Sequence, residues 1–388
     1  MKKMFFFAAV AGVAFASCTK DVDVPVNNVV NDEEAIVFQL GNPLSVSVTR
    51  GQGGVGGTVD EGNAWNGEAL NVYMFEEGTM NLAQNETTGV SYFENAEVTA
   101  PVGLASDVAT DVRGPQYFPS SGDFDFFAYH GDDAVFETPV PNGNAYTVPV
   151  TIDGTQDLMV AKAALNGDDE QIIANYDQAH PDKTFDRDHI YSAYAARRGV
   201  NPRLTFKHLL SRFVFQAVIS NIGNDKENLF ITGIEVKAPS TGIMTVAALD
   251  ENALGVVFDQ DNVIPMSLKS RTVGADGSFT MNPELGEVKL TEGSFDPETN
   301  VTRLGESLLL PAGADAYTVK ISLAQYKNGL NKAPEVNTIE KDIKLVDKSF
   351  EAGYQYKVNI TVYGLEDIVL TADLEPWKKG EDVEVDGE

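Results

Sequence analysis

The chain has 388 residues with 28 basic and 58 acidic side chains, a formal net charge of −30, and one cysteine. That length accommodates two domains of ordinary size. The charge excludes nucleic acid as a partner, because phosphate binding needs a basic face that releases counterions; it suits a surface that keeps an exported protein soluble.

Export is written in the first residues. Met1-Lys2-Lys3 is basic, Met4 to Val13 is apolar, and Ala14-Phe15-Ala16-Ser17 sets small residues before Cys18. A basic start, a short apolar middle and a small-residue cut make a secretory signal over residues 1–17, too short for a membrane span. Cleavage there would leave Cys18 at the new N-terminus, its thiol placed to carry a diacylglycerol, which is the pattern of a bacterial lipoprotein. The fold then keeps no thiol, so core burial and backbone pairing must hold it. Residues 18–34, Asn-rich and acidic with no apolar period, read as a flexible tether.

From Ala35 the character changes. Ile36-Val37-Phe38-Gln39-Leu40 and Leu44-Ser45-Val46-Ser47-Val48 are rich in β-branched and aromatic residues, and Ile36, Phe38, Leu40, Leu44, Val46 and Val48 fall on one face of a first strand over 36–48. A glycine-rich loop over 49–57 follows, opening with Thr49-Arg50-Gly51. Strand signatures recur at 70–75, 146–150, 213–219, 229–231, 234–236, 317–323 and 354–362, each bounded by turn residues. One helix is expected between Asp188 and Arg198, where Ile190, Tyr191, Tyr194 and Ala195 keep helical spacing before Gly199. Many short strands without a β-α rhythm predict an all-β chain of two tandem β-sandwich domains, 35–200 and 201–388, divided in the polar stretch from Gln178 to Asn201.

The chemistry-bearing residues point away from catalysis. Gly51-Gln52-Gly53-Gly54-Val55-Gly56 matches a dinucleotide fingerprint in letters, yet the stretch after it is broken by glycine and asparagine, so no helix N-terminus waits for a phosphate. His130, His180, His189 and His208 include no pair one helical turn apart with an adjacent glutamate, and His130 and His208 lie beside apolar runs that favour packing. Asp123 and Asp125 alternate with Phe124 and Phe126, which ordinary strand geometry explains more cheaply than a pair of glycosidase acids. Asp259-Gln260-Asp261-Asn262 and Asp186-Arg187-Asp188 lack the loop of a calcium site. No cofactor, metal or enzymatic activity is expected.

Several stretches, taken in order, resemble a known family. They are the signal ending at Cys18, the Val48-Thr49-Arg50-Gly51 step, Tyr117-Phe118-Pro119, Phe126-Phe127-Ala128-Tyr129, Asp153-Gly154-Thr155-Gln156-Asp157-Leu158-Met159, the run 204–213, Ala352-Gly353-Tyr354-Gln355-Tyr356-Lys357-Val358, and Leu374-Glu375-Pro376-Trp377. Together they resemble the fimbrillins of Bacteroidales, the subunits of type V pili, over nearly the whole chain. The resemblance implies transthyretin-like sandwiches and an exported lipoprotein on the outer membrane. It also implies an arginine-specific protease that cuts between Arg50 and Gly51 and so removes the first strand. Another copy's strand would fill the groove, head to tail, in a surface filament for adhesion that also contains tip and anchor pilins. An intact Arg50 favours the stalk role. Donor candidates are Ile368, Leu370, Ala372 and Leu374, or Val383 and Val385 in the tail, and the sequence leaves the choice open. The alternative is a surface-exposed glycan-binding lipoprotein using exposed aromatics such as Trp65, Tyr117 or Trp377.

Overall fold

Alternation along Ala69–Glu76 shows how this sequence builds its layers. Leu70, Val72 and Met74 enter one apolar cluster, while Tyr73 and Phe75 enter another. A strand that is apolar on both sides must be covered on both faces, and this one also lies inside its sheet. The computed structural model describes residues 35–40, 49–50, 54–55, 65, 67–101, 108–111, 113–132, 134–187, 190–220, 227–273, 279–292, 301–327, 329–345 and 348–375. Cys18, Leu44, Val46, Val48, Gly51, Trp377, Val383 and Val385 lie outside those residues.

The all-β expectation holds. Ala69–Glu76 sits in a six-stranded antiparallel sheet whose order is Lys207–His208, Leu158–Lys162, Phe124–Gly131, Ala69–Glu76, Ala96–Thr99, Thr110–Asp111. On its Tyr73 and Phe75 side lies a second sheet in which Ala145–Thr151 pairs with Thr241–Ala248. Tyr146 from that sheet brings its ring to 5.3 Å from both Tyr73 and Phe75. Strands from both sides of residue 200 therefore share one sheet.

Two further large sheets lie beyond these. One runs Thr302–Pro311, Leu210–Ile219, Gln355–Val362, Ile368–Glu375, with the two middle strands parallel. The other runs Val263–Ser267, Leu229–Pro239, Ala316–Gln325, Glu335–Lys344. Phe213, Phe215, Val358 and Ile360 from the first join Ile231, Ile234, Val319 and Ile321 from the second in the same apolar cluster. The sequence shows 229–231 and 234–236 as separate runs, but they form one strand, because a register shift between Ile231 and Gly233 absorbs the break.

Helix is sparse and is placed differently from expectation. Between 188 and 198 the described helix is only Ala193–Ala196, started by the Ser192 side chain and followed by Gly199 at φ +84°. The longer helix is Gly167–Ala179, which sequence reasoning missed. Its signal is a capping box: the Asn166 side chain accepts from the backbone N–H of Asp168 at 3.0 Å and of Asp169 at 2.9 Å, while the Asp169 carboxylate accepts from the Asn166 N–H at 3.0 Å.

Candidate functional site

The other face of the six-stranded sheet is where residues 35–40 lie. Ile36 is 8 % exposed and Phe38 and Leu40 are each 2 % exposed, so the alternation read from the sequence puts all three into the apolar cluster that holds Leu70, Val72 and Met74. Phe38 meets Phe93 and Phe126 edge-on, with ring centroids 5.1 and 5.5 Å away. Such contacts add to the burial of an aromatic that is already the largest apolar group of the segment.

Backbone pairing fixes the segment from two sides. The Ile36 N–H donates to the Gln116 carbonyl at 2.7 Å, and Ala35 bridges Tyr117. The Ala109 N–H donates to the Phe38 carbonyl at 3.0 Å, and Gln39 bridges Val108. On the opposite side, Gln39–Leu40 runs parallel to Arg203–Leu204, with the Gln39 N–H donating to the Pro202 carbonyl at 2.9 Å. Local sequence had given no sign of this parallel pairing across 164 residues, or of a side-chain bond in which Arg203 donates to the Gln39 amide oxygen. Arg203 is also held by Asp169 of the helix cap, its Nε donating to Oδ2 at 3.2 Å.

The other singled-out positions are distributed as follows. Thr49–Arg50 pairs antiparallel with Gly54–Val55, which sets Arg50 opposite Gly54. Ile368 is 1 % exposed in the edge strand Ile368–Glu375, Leu370 and Ala372 are half-buried there, and Leu374 stands opposite Tyr356 in register. The structure brings Ile36, Phe38 and Leu40 together with Arg203. It keeps the strand that bears Ile368, Leu370, Ala372 and Leu374 in another sheet.

Trp65 corrects one expectation. It is 4 % exposed, packed edge-on against Phe206 at 5.3 Å, and so cannot be an exposed platform for a sugar. Tyr117 is half-buried against the N-terminal segment. His130 and His208 are both buried in hydrogen bonds. His130 Nε2 lies 2.8 Å from Asp132 Oδ1 and its Nδ1 2.8 Å from the Ala69 carbonyl, and His208 Nδ1 lies 2.5 Å from Asp157 Oδ2. Burial opposes a charge on His130, but the bond and charge of Asp132 outweigh it and hold the imidazole up to about 9. No group of His, Cys, Asp and Glu capable of holding a metal ion occurs among the described residues.

Comparison with known proteins gives the site a family. No curated protein matches the chain. Among solved structures, a Bacteroides uniformis protein is 14 % identical with a TM-score of 0.49, covering 90 % of this chain and 100 % of its own. A fimbrial protein of Bacteroides vulgatus is 13 % identical with a TM-score of 0.47, over 89 % of this chain and 99 % of that one. The fimbrial anchor protein Mfa2 of Porphyromonas gingivalis is 11 % identical with a TM-score of 0.33, over 88 % and 97 %. A family model described as fimbrillin-like matches residues 58–377, which contain the six-stranded sheet, the partner strands of the N-terminal segment and the two sheets beyond them. The chain belongs to the fimbrillin-like family.

Proposed function

We propose that this chain is a pilus subunit that polymerises when its N-terminal segment is cut away and a strand from another copy takes its place. As a fimbrillin-like protein it is a structural component of a surface fimbrium and not an enzyme. In this reading the signal is removed before Cys18, a lipid on Cys18 holds the protein at the outer membrane, and an arginine-specific protease cuts after Arg50. Copies then join head to tail as a stalk, with tip and anchor pilins at its ends.

The observation that carries the proposal is the seat of residues 35–40. Ile36, Phe38 and Leu40 are buried, at about 1.5–3 kcal/mol each, so their removal forfeits about 5–9 kcal/mol as an upper bound. It also strips the Gln116 and Pro202 carbonyls and the Ala109 N–H of their partners. An apolar trough with unpaired backbone on both sides is unstable in water and matches an extended strand, which supplies main-chain bonds and alternate side chains together.

The test is direct. Full-length protein treated with an arginine-specific protease should form ladders that survive SDS, and Arg50→Ala should stay monomeric. Complete cleavage at Arg50 without any ladder would refute the proposal.

A further inference from the structure

The sheet that pairs Ala145–Thr151 with Thr241–Ala248 covers the six-stranded sheet with one face and turns the other to solvent. Along these strands Val148 and Met244 enter the core, each at 0 % exposure, so the residues on either side of them point outward. Val257, Ile243 and Pro149 lie side by side in register across three strands, with Val257 76 % and Ile243 47 % exposed. Flanking that row, Thr147 stands opposite Thr245 and Thr151 opposite Thr241, and each threonine pair continues to an exposed valine, Val140 or Val135. Acids enter these rows only at opposite edges, Glu137 beside Pro149 and Asp259 beside Thr241, and no base enters them. Single exposed valines are ordinary on a strand, but apolar residues joined across neighbouring strands form a continuous patch.

We propose that a second copy of this chain covers this face with the same face of its own, sheet against sheet, in a weak contact. Charge selects the occupant. A partner that brought charged groups here would bury them without a counter-charge, because the middle of the face offers none. The same face of another copy brings only valine, isoleucine, proline and threonine to the centre, and it leaves its two acids at the rim. Two copies of net charge −30 repel each other, so the contact that adds no charge is the one that costs least. The face also holds a shallow depression of about 430 Å³ bordered by Pro149, Ile243, Val257, Thr151 and Thr241, which gives an opposing side chain room to enter.

Area sets the strength. Four strands about 4.8 Å apart and about five residues long, at about 3.3 Å each, make a footprint of about 300 Å², well short of the about 800 Å² per partner of a stable complex. Dilute protein therefore stays monomeric. Copies held near one another, as in the filament proposed above, meet at effective concentrations near millimolar, where so small a contact is populated. The pairing of faces does not itself depend on that filament.

The uncleaved chain tests this, so that strand replacement plays no part. Sedimentation equilibrium at about 0.5 mM protein should give a mass between monomer and dimer in 1 M NaCl and near monomer in 10 mM, because salt shortens the screening length from about 30 Å to about 3 Å and spares the uncharged contact. The methyl resonances of Ile243 and Val257 should move with protein concentration. V257K and I243K should each weaken the association about 10-fold or more, since either would bury a charge without a partner. Val257 is exposed on an edge strand, where lysine is well tolerated, so V257K keeps the fold, and an unchanged melting temperature verifies it. V257K also reduces the repulsion between copies, so its failure to associate would be a property of the face and not of net charge. Association that both variants leave intact, or that weakens as salt rises, overturns the proposal. A wild type that stays monomeric in 1 M NaCl also overturns it and assigns the face to an occupant other than this chain.

Discussion

Phe38→Ala isolates what holds the N-terminal segment down. Phe38 is 2 % exposed, with two aromatic neighbours edge-on at 5.1 and 5.5 Å. Truncating such a ring costs about 3–5 kcal/mol. Since residues 35–40 form a short segment with few ladder bonds of their own, that loss falls mainly on local opening, raising the open population by about 10²- to 10⁴-fold. Amide hydrogen exchange reads this at three places: the Ile36 and Gln39 N–H groups, which donate outward to Gln116 and Pro202, and the Ala109 N–H, which donates to Phe38. All three should speed up together, while amides in Leu210–Ile219 stay as they were. Unchanged exchange at those three positions would refute the idea that apolar burial seats the segment. Equal acceleration across the whole chain would show instead that the segment opens only with the entire fold.

Two other outcomes follow from single groups. His130 is held up to about 9, raised above the ordinary value of about 6.5, so its ion pair with Asp132 stabilises the fold fully below about pH 6.5 and that contribution fades as pH rises through about 9. The difference amounts to roughly 3 kcal/mol, and melting curves between pH 6 and 10 should lose this slope in His130→Gln. Gly154 stands at φ +94°, and an added Cβ would lie 2.9 Å from Met266 Cβ and 3.1 Å from Leu308 Cδ2. Gly154→Ala should therefore destabilise by about 2 kcal/mol or more in urea titration, and a neutral result would mean that the two sheets have room to part there.

How much was legible depended on how local the signal is. The period-2 pattern of Ile36, Phe38 and Leu40 was enough to name the buried face, because a strand's side chains must alternate. The same rule gave Tyr317 to Leu323 as a strand, and β-rich composition between turns gave Leu70 to Phe75. It could not say that Gln39–Leu40 pairs with Arg203–Leu204, since partners are chosen by the whole packed structure and a two-residue ladder leaves little trace in composition. Trp65 went the other way for a related reason. A lone tryptophan in a glycine-rich stretch reads as exposed, and only the assembled cluster with Phe206 shows that it is buried. The helix Gly167–Ala179 was missed because its apolar stripe is weak, with Ile173 its one fully buried apolar residue, although Asn166 and Asp169 already carried the cap.

The balance between side chains and backbone in the seat bears on how the proposed replacement of the N-terminal segment would proceed. Residues 35–40 contribute three buried apolar side chains, yet their regular ladder is only the pair Gln39–Leu40, supplemented by isolated bridges. A central strand such as Phe124–Gly131, bonded along both edges, could leave only by dismantling its sheet. A segment held chiefly by side chains needs no such dismantling, and its seat keeps its shape because Leu70, Val72, Met74 and Phe126 belong to strands paired with one another. Under the proposed cut, what would remain is a formed trough with strong demand for apolar side chains and modest demand for main-chain bonds.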